Sequence, residues 1–543
     1  MVDKNLGSVY TIPTKIEESC GRQKEANFEE AILATEFGRF NILLLLSVIP
    51  ACFSQVFETV SISYVLPVAQ CDLNLTLEDK GMLNAITFAG MITSGFFWGY
   101  LCDSLGRKKI MIYGYLLNGC FVIVASVSPN ITVLMISKFF GGFIINGPFA
   151  AATAYVTEFH SSRHRARAQM VAGTILSLGN IVLPLMAWGI LPQELEFTVF
   201  DYFEFHSWNV YLLICSTAPI LSGITFIFMP ESPKFLMSAG RNGKALEVFR
   251  KIYSINTGKA PSTYPVSFVI TYWDRIASDK NTFRLSIWYR KKIVTTKSTK
   301  QALEDGLRQL RPLFGPPNIR KLVLACFNTL VMMMGLNTMK LWLPQLFQTI
   351  NDYQFSHGTS SSMCNMLEDL SPKNVSVVSC VVNLDNTSVY INSVVVGSSR
   401  IIAFGLAGSI VNLLGKKRIL ILMAIASGAV STAIYFAQNS ETVLVLSSMN
   451  IGFGSVCENV LIAITLELFP TRLRTVALSL HMAFGRVGTI IGNISFPYLL
   501  NSGCAPPLYS LACLPLYVEV YLSYIQIPRT RRYNKLSLLW ALV

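Results

Sequence analysis

Six ionisable residues fall inside long apolar stretches of this chain: Glu58, Lys138, Lys340, Arg400, Glu458 and Arg486. A charge placed in such a stretch is costly unless it faces a cavity or a partner, so each is a candidate for function. Glu58 is the strongest, because a carboxylate out of bulk water can exchange a proton or hold a cation. The competing expectation is a structural pairing of Glu58 with a cationic side chain. Glu458 and Arg486 are expected to pair with each other. Lys138 and Lys340 read as long side chains that snorkel toward an interface. Asn337, Asn180 and Asn459 are polar neighbours suited to a cavity or to hydrogen bonds between helices. No catalytic constellation, metal-ligand spacing or phosphate-cradling glycine loop is present, so an enzyme, a metal site, a cofactor and an ATP-driven pump are not expected.

The elements that must position these residues follow from composition. Only 14% of the 543 residues are charged, against roughly a quarter in soluble domains. The polar residues cluster between apolar runs of roughly 20 residues, the length that crosses a bilayer as a helix. Twelve spans are expected, at 41–67, 80–101, 110–127, 132–157, 168–191 and 209–229, then 320–348, 389–414, 419–437, 442–468, 475–500 and 507–526. The polar stretch 1–38 does not resemble a secretory signal, so the first helix is read as retained.

Basic clusters leave the even-numbered spans: Arg107, Lys108 and Lys109, then Arg163, Arg165 and Arg167, then Lys416, Lys417 and Arg418, then Arg472 and Arg474. By the positive-inside rule both termini are cytoplasmic. The expected organisation is a tail at 1–40, a six-helix bundle at 41–229, a cytoplasmic loop at 230–319, a second six-helix bundle at 320–526 and a tail at 527–543. Loop 230–319 carries 16 Lys and Arg against 6 Asp and Glu, which accounts for most of the chain's net +13. That charge reports topology and attraction to anionic lipid rather than nucleic-acid binding. Its segment 244–250 and its segment 301–308 read as short amphipathic helices.

On the other side, loop 350–388 is acidic and carries sequons at Asn374 and Asn386, and loop 68–79 carries one at Asn74. These are the expected glycosylation sites. Asn130 lies too close to the bilayer to be modified. Cys52, Cys102, Cys120, Cys215, Cys326, Cys457 and Cys513 read as packing residues, while Cys364 and Cys380 share the outer loop and could form a bridge.

An internal repeat organises the whole. Gly99, Asp103, Gly106 and the basic run 107–109 leave span two; Gly408, Asn412, Gly415 and the basic run 416–418 leave span eight, 309 residues later. Glu158 and Arg163 after span four recur at the same offset as Glu467 and Arg472 after span ten. Two motifs at one offset mean a duplicated six-helix unit with parallel repeats. Gly99, Asp103, Gly106, Arg107, Glu158, Arg163, Glu467 and Arg472 form a candidate conformational latch, weaker in the second half where Asn412 replaces the acid.

With this repeat the chain resembles the major facilitator superfamily over nearly all of 40–530. Pro230-Glu231-Ser232-Pro233-Lys234-Phe235-Leu236 is similar to the motif of sugar and organic-ion transporters, and 205–211 and 64–67 resemble the synaptic vesicle glycoprotein 2 family. The resemblance implies an all-α membrane protein of twelve helices in two parallel six-helix repeats. It also implies that Trp188 and Trp342 line the cavity, the alternative being the aromatic belt near a span end, and Pro344 is expected to break span seven. Gln55 and Gln345 stand where the family tends to have acids, and 528–531 lacks the acid of the family's last exit motif; these losses count against proton or cation coupling. The function expected is a secondary active or facilitative transporter of a small organic solute, an organic ion or sugar-like, in the plasma membrane or a secretory or synaptic-type vesicle. The alternative is a transporter-fold receptor or trafficking protein.

Overall fold

The computed structural model describes residues 25–193, 195–199, 203–269, 311–316, 318–357, 363 and 387–510. Span twelve beyond 510, both expected tails apart from 25–40, segment 301–308, Cys364, Cys380, Cys513, Asn374 and Asn386 lie outside these residues.

The chain builds helices almost throughout. In the first half, α1 (Phe28–Ala34) precedes α2 (Arg39–Val68), α3 (Leu77–Thr93), α4 (Gly95–Leu105), α5 (Arg107–Ser126), α6 (Ile131–Glu158), α7 (Ser162–Ile190), α8 (Ser207–Cys215) and α9 (Thr217–Ile227). Between the halves lie α10 (Pro233–Ser238) and α11 (Asn242–Thr257). The second half contains α12 (Asn318–His357), α13 (Ser388–Leu414), α14 (Lys416–Tyr435), α15 (Ser440–Leu468) and α16 (Thr471–Asn501). Among the described residues, nine helices are long and apolar enough to cross a membrane.

Three local features depart from a plain reading of the apolar runs. Span two is two abutting helices, α3 and α4, divided at Ser94, whose hydroxyl donates to the Met91 carbonyl at 3.1 Å. Such back-bonding from Ser bends a helix. Span six divides likewise at Ser216, into α8 and α9. Span seven does not break: α12 runs 40 residues through Pro344. The expected break is corrected to a continuous helix in which Pro344 withholds one donor, from the Lys340 carbonyl.

The duplication is visible in geometry. Gly106 and Gly415, 309 residues apart, precede α5 and α14 with φ of 93° and 81°. A side chain is strained there, which is why the tight turn carries glycine in both halves. A second correspondence lies deeper. Asn118 on α5 donates to the Gly141 carbonyl on α6 at 3.2 Å, and Asn450 on α15 donates to the Ser427 carbonyl on α14 at 3.1 Å. Positions 118 and 427, and 141 and 450, are again 309 apart, with the donor moved to the other helix of the pair.

At the end bearing the basic clusters, hereafter the basic end, a small cap sits on the first half. β1 (Glu25–Ala26) pairs in parallel with β4 (Phe268–Val269). The buried face of α11 packs Ala245, Phe249 and Tyr253 with Ala31 and Ile32 of α1, while Ile252 joins the bundle core below. Asn256 ties cap to bundle, donating to the carbonyls of Thr35 and Glu36 at 3.1 and 2.9 Å and accepting from the Phe40 amide at 2.9 Å. Segment 244–250 thus falls within a helix, α11. At the opposite end, β2 (Phe197–Val199) and β3 (Phe203–Phe205) form a hairpin before α8.

Among the described residues the halves meet most extensively along α3 with α16, α7 with α13 and α2 with α12. At the opposite end α3 abuts α16: a Cβ added to Gly81 would lie 2.6 Å from the Asn493 carbonyl oxygen. Nearby, α13 abuts α7, where a Cβ on Gly397 would lie 2.8 Å from the Asn180 carbonyl oxygen. Small residues let the backbones approach this closely. Lys80 of α3 reaches across to Gln345 of α12 at 2.9 Å. Toward the basic end a Cβ on Gly99 of α4, Gly173 of α7 or Gly405 of α13 would meet no neighbour within 4 Å. The contacts at Gly81, Gly397 and Lys80 hold the two halves together at the end opposite the basic clusters.

Candidate functional site

The six interior ionisable residues fall into three groups. The first is within the first half. Lys138 of α6 places its Nζ 2.8 Å from Glu58 Oε1 and 3.0 Å from the Glu58 carbonyl oxygen. Asn118 donates to Glu58 Oε2 at 3.1 Å. Both charged side chains are almost fully buried, at 1% and 2% exposure. The snorkelling expected of Lys138 is therefore corrected. Its carbonyl-lined slot inside the bundle offers an opposite charge, which an interface does not, and a paired buried cation costs far less than a lone one. Glu58 has a structural partner, a lysine. Gly141 is required beside it, since a Cβ there would lie 2.5 Å from Glu58 Oε1.

The second group lines a cavity between the halves, near mid-depth. Its walls come from Val60 and Tyr64 of α2, Asn180 of α7, Lys340, Leu343 and Pro344 of α12, Ser393, Val396, Gly397 and Arg400 of α13, and Ile451 of α15. In this conformation the cavity is narrow, with about 30 Å3 open to the centres of water-sized molecules. Arg400 Nη2 lies 3.5 Å from Glu458 Oε2, and its guanidinium lies over the Phe404 ring at 5.6 Å. The expected pairing of Glu458 with Arg486 is thereby corrected: Arg400, on the facing helix α13, takes the carboxylate. Lys340 does not snorkel to an interface either, because its position halfway along α12 puts it in this wall.

The third group bridges the halves. Arg486 of α16 donates to Asn146 Oδ1 of α6 at 2.9 Å and to the Met91 carbonyl of α3 at 3.4 Å. Lys80 donates to Gln70 at 2.7 Å and to Gln345 at 2.9 Å. Both cations are held by neutral oxygens. Lys80 and Asn146 escaped sequence reasoning: Lys80 stood at the edge of an apolar run among polar loop residues, and Asn146 gave no signal beyond its polarity.

The remaining candidates are placed as follows. Gln55 carries a buried Oε1 with no hydrogen-bond partner among the described residues. Asn337 donates to Thr489 of α16 at 2.8 Å, within the second half. Asn459 donates to Ser455 on its own helix. Trp342 is buried against Phe496, ring centroids 4.7 Å apart, and is not among the residues lining the cavity. Trp188 is 43% exposed near the end of α7, the place of an interface aromatic rather than a cavity wall. The cavity role implied for both tryptophans is corrected accordingly.

At the basic end, Arg107 Nε stands 3.6 Å from Glu158, and Glu158 also accepts from Ser232 at 2.6 Å. Glu231 accepts from the amides of Lys108 and Ser232 at 3.1 and 2.9 Å. The Pro-Glu-Ser-Pro stretch is thus the lock plate for the first-half turn. In the second half Lys416 pairs with Glu467 at 2.5 Å. Arg107 with Lys416, and Glu158 with Glu467, keep the 309-residue spacing, so one ion pair is built twice. A Cβ on Gly99 would meet no neighbour within 4 Å, and Arg163 makes no hydrogen bond or ion pair among the described residues, its charge bearing on the adjacent His164. The side chains of Asp103 and Arg472 lie outside the described residues.

At the opposite end, Trp208 Nε1 donates to Asp72 at 2.7 Å and Asn209 to the Ser126 carbonyl at 2.8 Å, which gives the 205–211 stretch a loop-joining role. Asn74 is exposed there with φ of 49°. Cys71 and Cys504 are disulfide-bonded, while Cys52, Cys102, Cys120, Cys215, Cys326 and Cys457 are not in disulfides.

A two-fold repeated bundle with a charged cavity at the junction of its halves defines a membrane transporter architecture. The family model of the Major Facilitator Superfamily matches residues 48–368 and 376–537, and the chain belongs to that superfamily. It is 27% identical to synaptic vesicle glycoprotein 2B of Rattus norvegicus over 345 residues, 62% of this chain and 49% of the relative. It is 28% identical to synaptic vesicle glycoprotein 2C of Mus musculus over 291 residues, 52% of this chain and 39% of the relative. The chain spans about half the length of the curated relatives it matches. Among solved structures, a partially occluded inward open conformation of the xylose transporter XylE from E. coli superposes with a TM-score of 0.60 at 14% identity, over 91% of this chain and 99% of that one. A D-xylose-proton symporter matches with a TM-score of 0.60 at 15% identity, over 89% and 97%. These structures share its fold. The chain is a multi-pass membrane protein of the transporter fold, resembling the synaptic vesicle glycoproteins.

Proposed function

We propose that the chain carries a small organic solute across the membrane by alternating access, as a secondary active or facilitative transporter in the plasma membrane or a secretory or synaptic-type vesicle. The observation that carries this reading is the cavity between the halves, with the close contacts of Gly81, Gly397 and the Lys80–Gln345 pair joining the halves toward the end opposite the basic clusters. The basic end is assigned to the cytoplasm. Its duplicated ion pairs, Arg107–Glu158 and Lys416–Glu467, are the latch that holds one state and is remade in the other. Organic ions and sugars are the candidate cargoes, xylose being the sugar of the solved neighbours.

The test is rocking itself. Spin labels at positions 105 and 414 report the basic end, and labels at 78 and 501 the other, in full-length protein in lipid discs with the free cysteines replaced. Two anticorrelated distance populations are expected, one end closing as the other opens. A single fixed distance at each end would overturn the reading.

A second reading, a non-transporting receptor or trafficking partner, is favoured by one observation. The acid most suited to coupling, Glu58, is committed to Lys138, and its neighbours in that role are the amides Gln55 and Gln345. Loss of partner binding on substitution in the cap at the basic end, with no flux in any assay, would select it.

A further inference from the structure

The cavity between the halves carries more positive charge than its own acids balance. Lys340 makes no hydrogen bond or ion pair with any described residue. Arg400 leans toward Glu458 through one nitrogen, at 3.5 Å, and leaves its Nε buried without a partner among the described residues. With Lys340 protonated, two cations share one carboxylate. The other interior cations do not compensate, since Arg486 and Lys80 rest on amide and carbonyl oxygens. An unbalanced cation held away from water is costly, and a bound anion removes that cost. A sugar, recognised by matched donors and acceptors, would leave it in place.

The rest of the wall describes the ligand's other end. Val60, Leu343, Val396 and Ile451 are apolar, so they suit a hydrocarbon or aromatic body. Tyr64 and Ser393 supply hydroxyls, and Asn180 a carbonyl oxygen that is buried without a partner.

We propose that this cavity binds a small organic monoanion, whose acid group is taken by the Lys340 ammonium and the free Arg400 Nε while its apolar body lies against Val60, Leu343, Val396 and Ile451. Glu458 serves as the positioning residue that holds Arg400 in place. The site is the one assigned above to transport and rests on that reading only for translocation; binding stands or falls separately.

Three probes of similar shape and different charge test it: benzenesulfonate, benzenesulfonamide and phenyltrimethylammonium. Binding to full-length protein in lipid discs is measured by calorimetry, and flux of the same probes in proteoliposomes. Benzenesulfonate is expected to bind more tightly than the sulfonamide by roughly ten- to hundredfold, the range of one charge-assisted hydrogen bond. K340Q should abolish that preference and K340R should keep most of it, which separates lost charge from lost folding. Equal binding of the three probes, tighter binding of the cation, no binding of any, or an undiminished preference in K340Q would each overturn the proposal. Anion binding without flux leaves the site standing and removes the transport reading; flux of the neutral or cationic probe alone does the reverse.

Discussion

Lys138 Nζ meets Glu58 Oε1 at 2.8 Å inside the wall of the first half, with Asn118 closing the second carboxylate oxygen. The pair is a unit, because each charge is tolerable only while the other is present. Breaking a buried pair from one side costs about 3–5 kcal/mol, whereas replacing both partners by uncharged side chains is often neutral. Glu58→Gln and Lys138→Met should each lower the thermal midpoint strongly, and the double substitution should recover most of the loss. Additive losses in that cycle would mean that the two side chains do not act together.

The duplicated ion pair should matter unequally. Glu158 is 6% exposed in its pair with Arg107, while Lys416 and Glu467 are 33% and 36% exposed in theirs. A surface pair contributes about 0–1 kcal/mol. Arg107→Gln should therefore shift the spin-label distances at the basic end clearly, and Lys416→Gln only slightly. The opposite ranking would remove the latch from the first half.

Closure at the other end depends on glycine. A methyl at Gly81 would press on the Asn493 carbonyl and the Pro497 ring, and backbone and proline cannot swing aside. Gly81→Ala should favour the state open at that end, read as a longer distance between labels at 78 and 501. An unchanged distribution would show that α3 and α16 have slack.

His160 offers a pH test between α6 and α7, outside the membrane-spanning segments. Burial is the main cause that lowers its pKa from the ordinary 6.5, with His164 and Arg165 adding to the effect and the hydrogen bond to the Val156 carbonyl opposing it. A lowered folded-state pKa means that the unfolded chain binds the proton more readily. The neutral ring's contribution is present above pH 6.5 and is lost as pH falls toward the folded value. The thermal midpoint of the native protein should drop more between pH 7 and pH 5.5 than that of His160→Asn. Parallel curves would assign the drop to other groups.

Asn256 is the rivet of the basic-end cap. Its side chain joins Thr35, Glu36, Phe40 and Asn41, so Asn256→Ala removes several hydrogen bonds at once. Each contributes roughly 1 kcal/mol. Faster proteolysis within 25–38 is expected, with the membrane helices intact. An unchanged cleavage rate would show that the strand pairing of β1 with β4 suffices.

How much of this was legible in the sequence depends on what each residue leans against. The bundle follows from run length, since a bilayer dictates helices of a fixed span, and the repeat follows from Gly106 and Gly415, whose backbone conformation leaves little choice of residue. Pairings were not legible. Arg400 and Arg486 look alike along the chain, and only the facing of α13 on α15 decides which one meets Glu458. Lys138 looked like an interface residue because its distance from the helix end was visible and Glu58's position across the bundle was not. Trp342 shows the same limit: proximity to Pro344 suggested a break, but α12 continues and packs the indole on Phe496.

Lys80 gives the closed end an electrical character. Two amides hold it, so the charge it carries when protonated travels with α3 whenever that end opens and water reaches it. A charge crossing the full membrane feels about 2.3 kcal/mol per 100 mV, and Lys80 would cross a fraction of that depth. A potential negative on the basic side draws such a cation inward and favours the closed end. Opening would then be voltage-sensitive, a property that Lys80→Gln should blunt in recordings of charge movement.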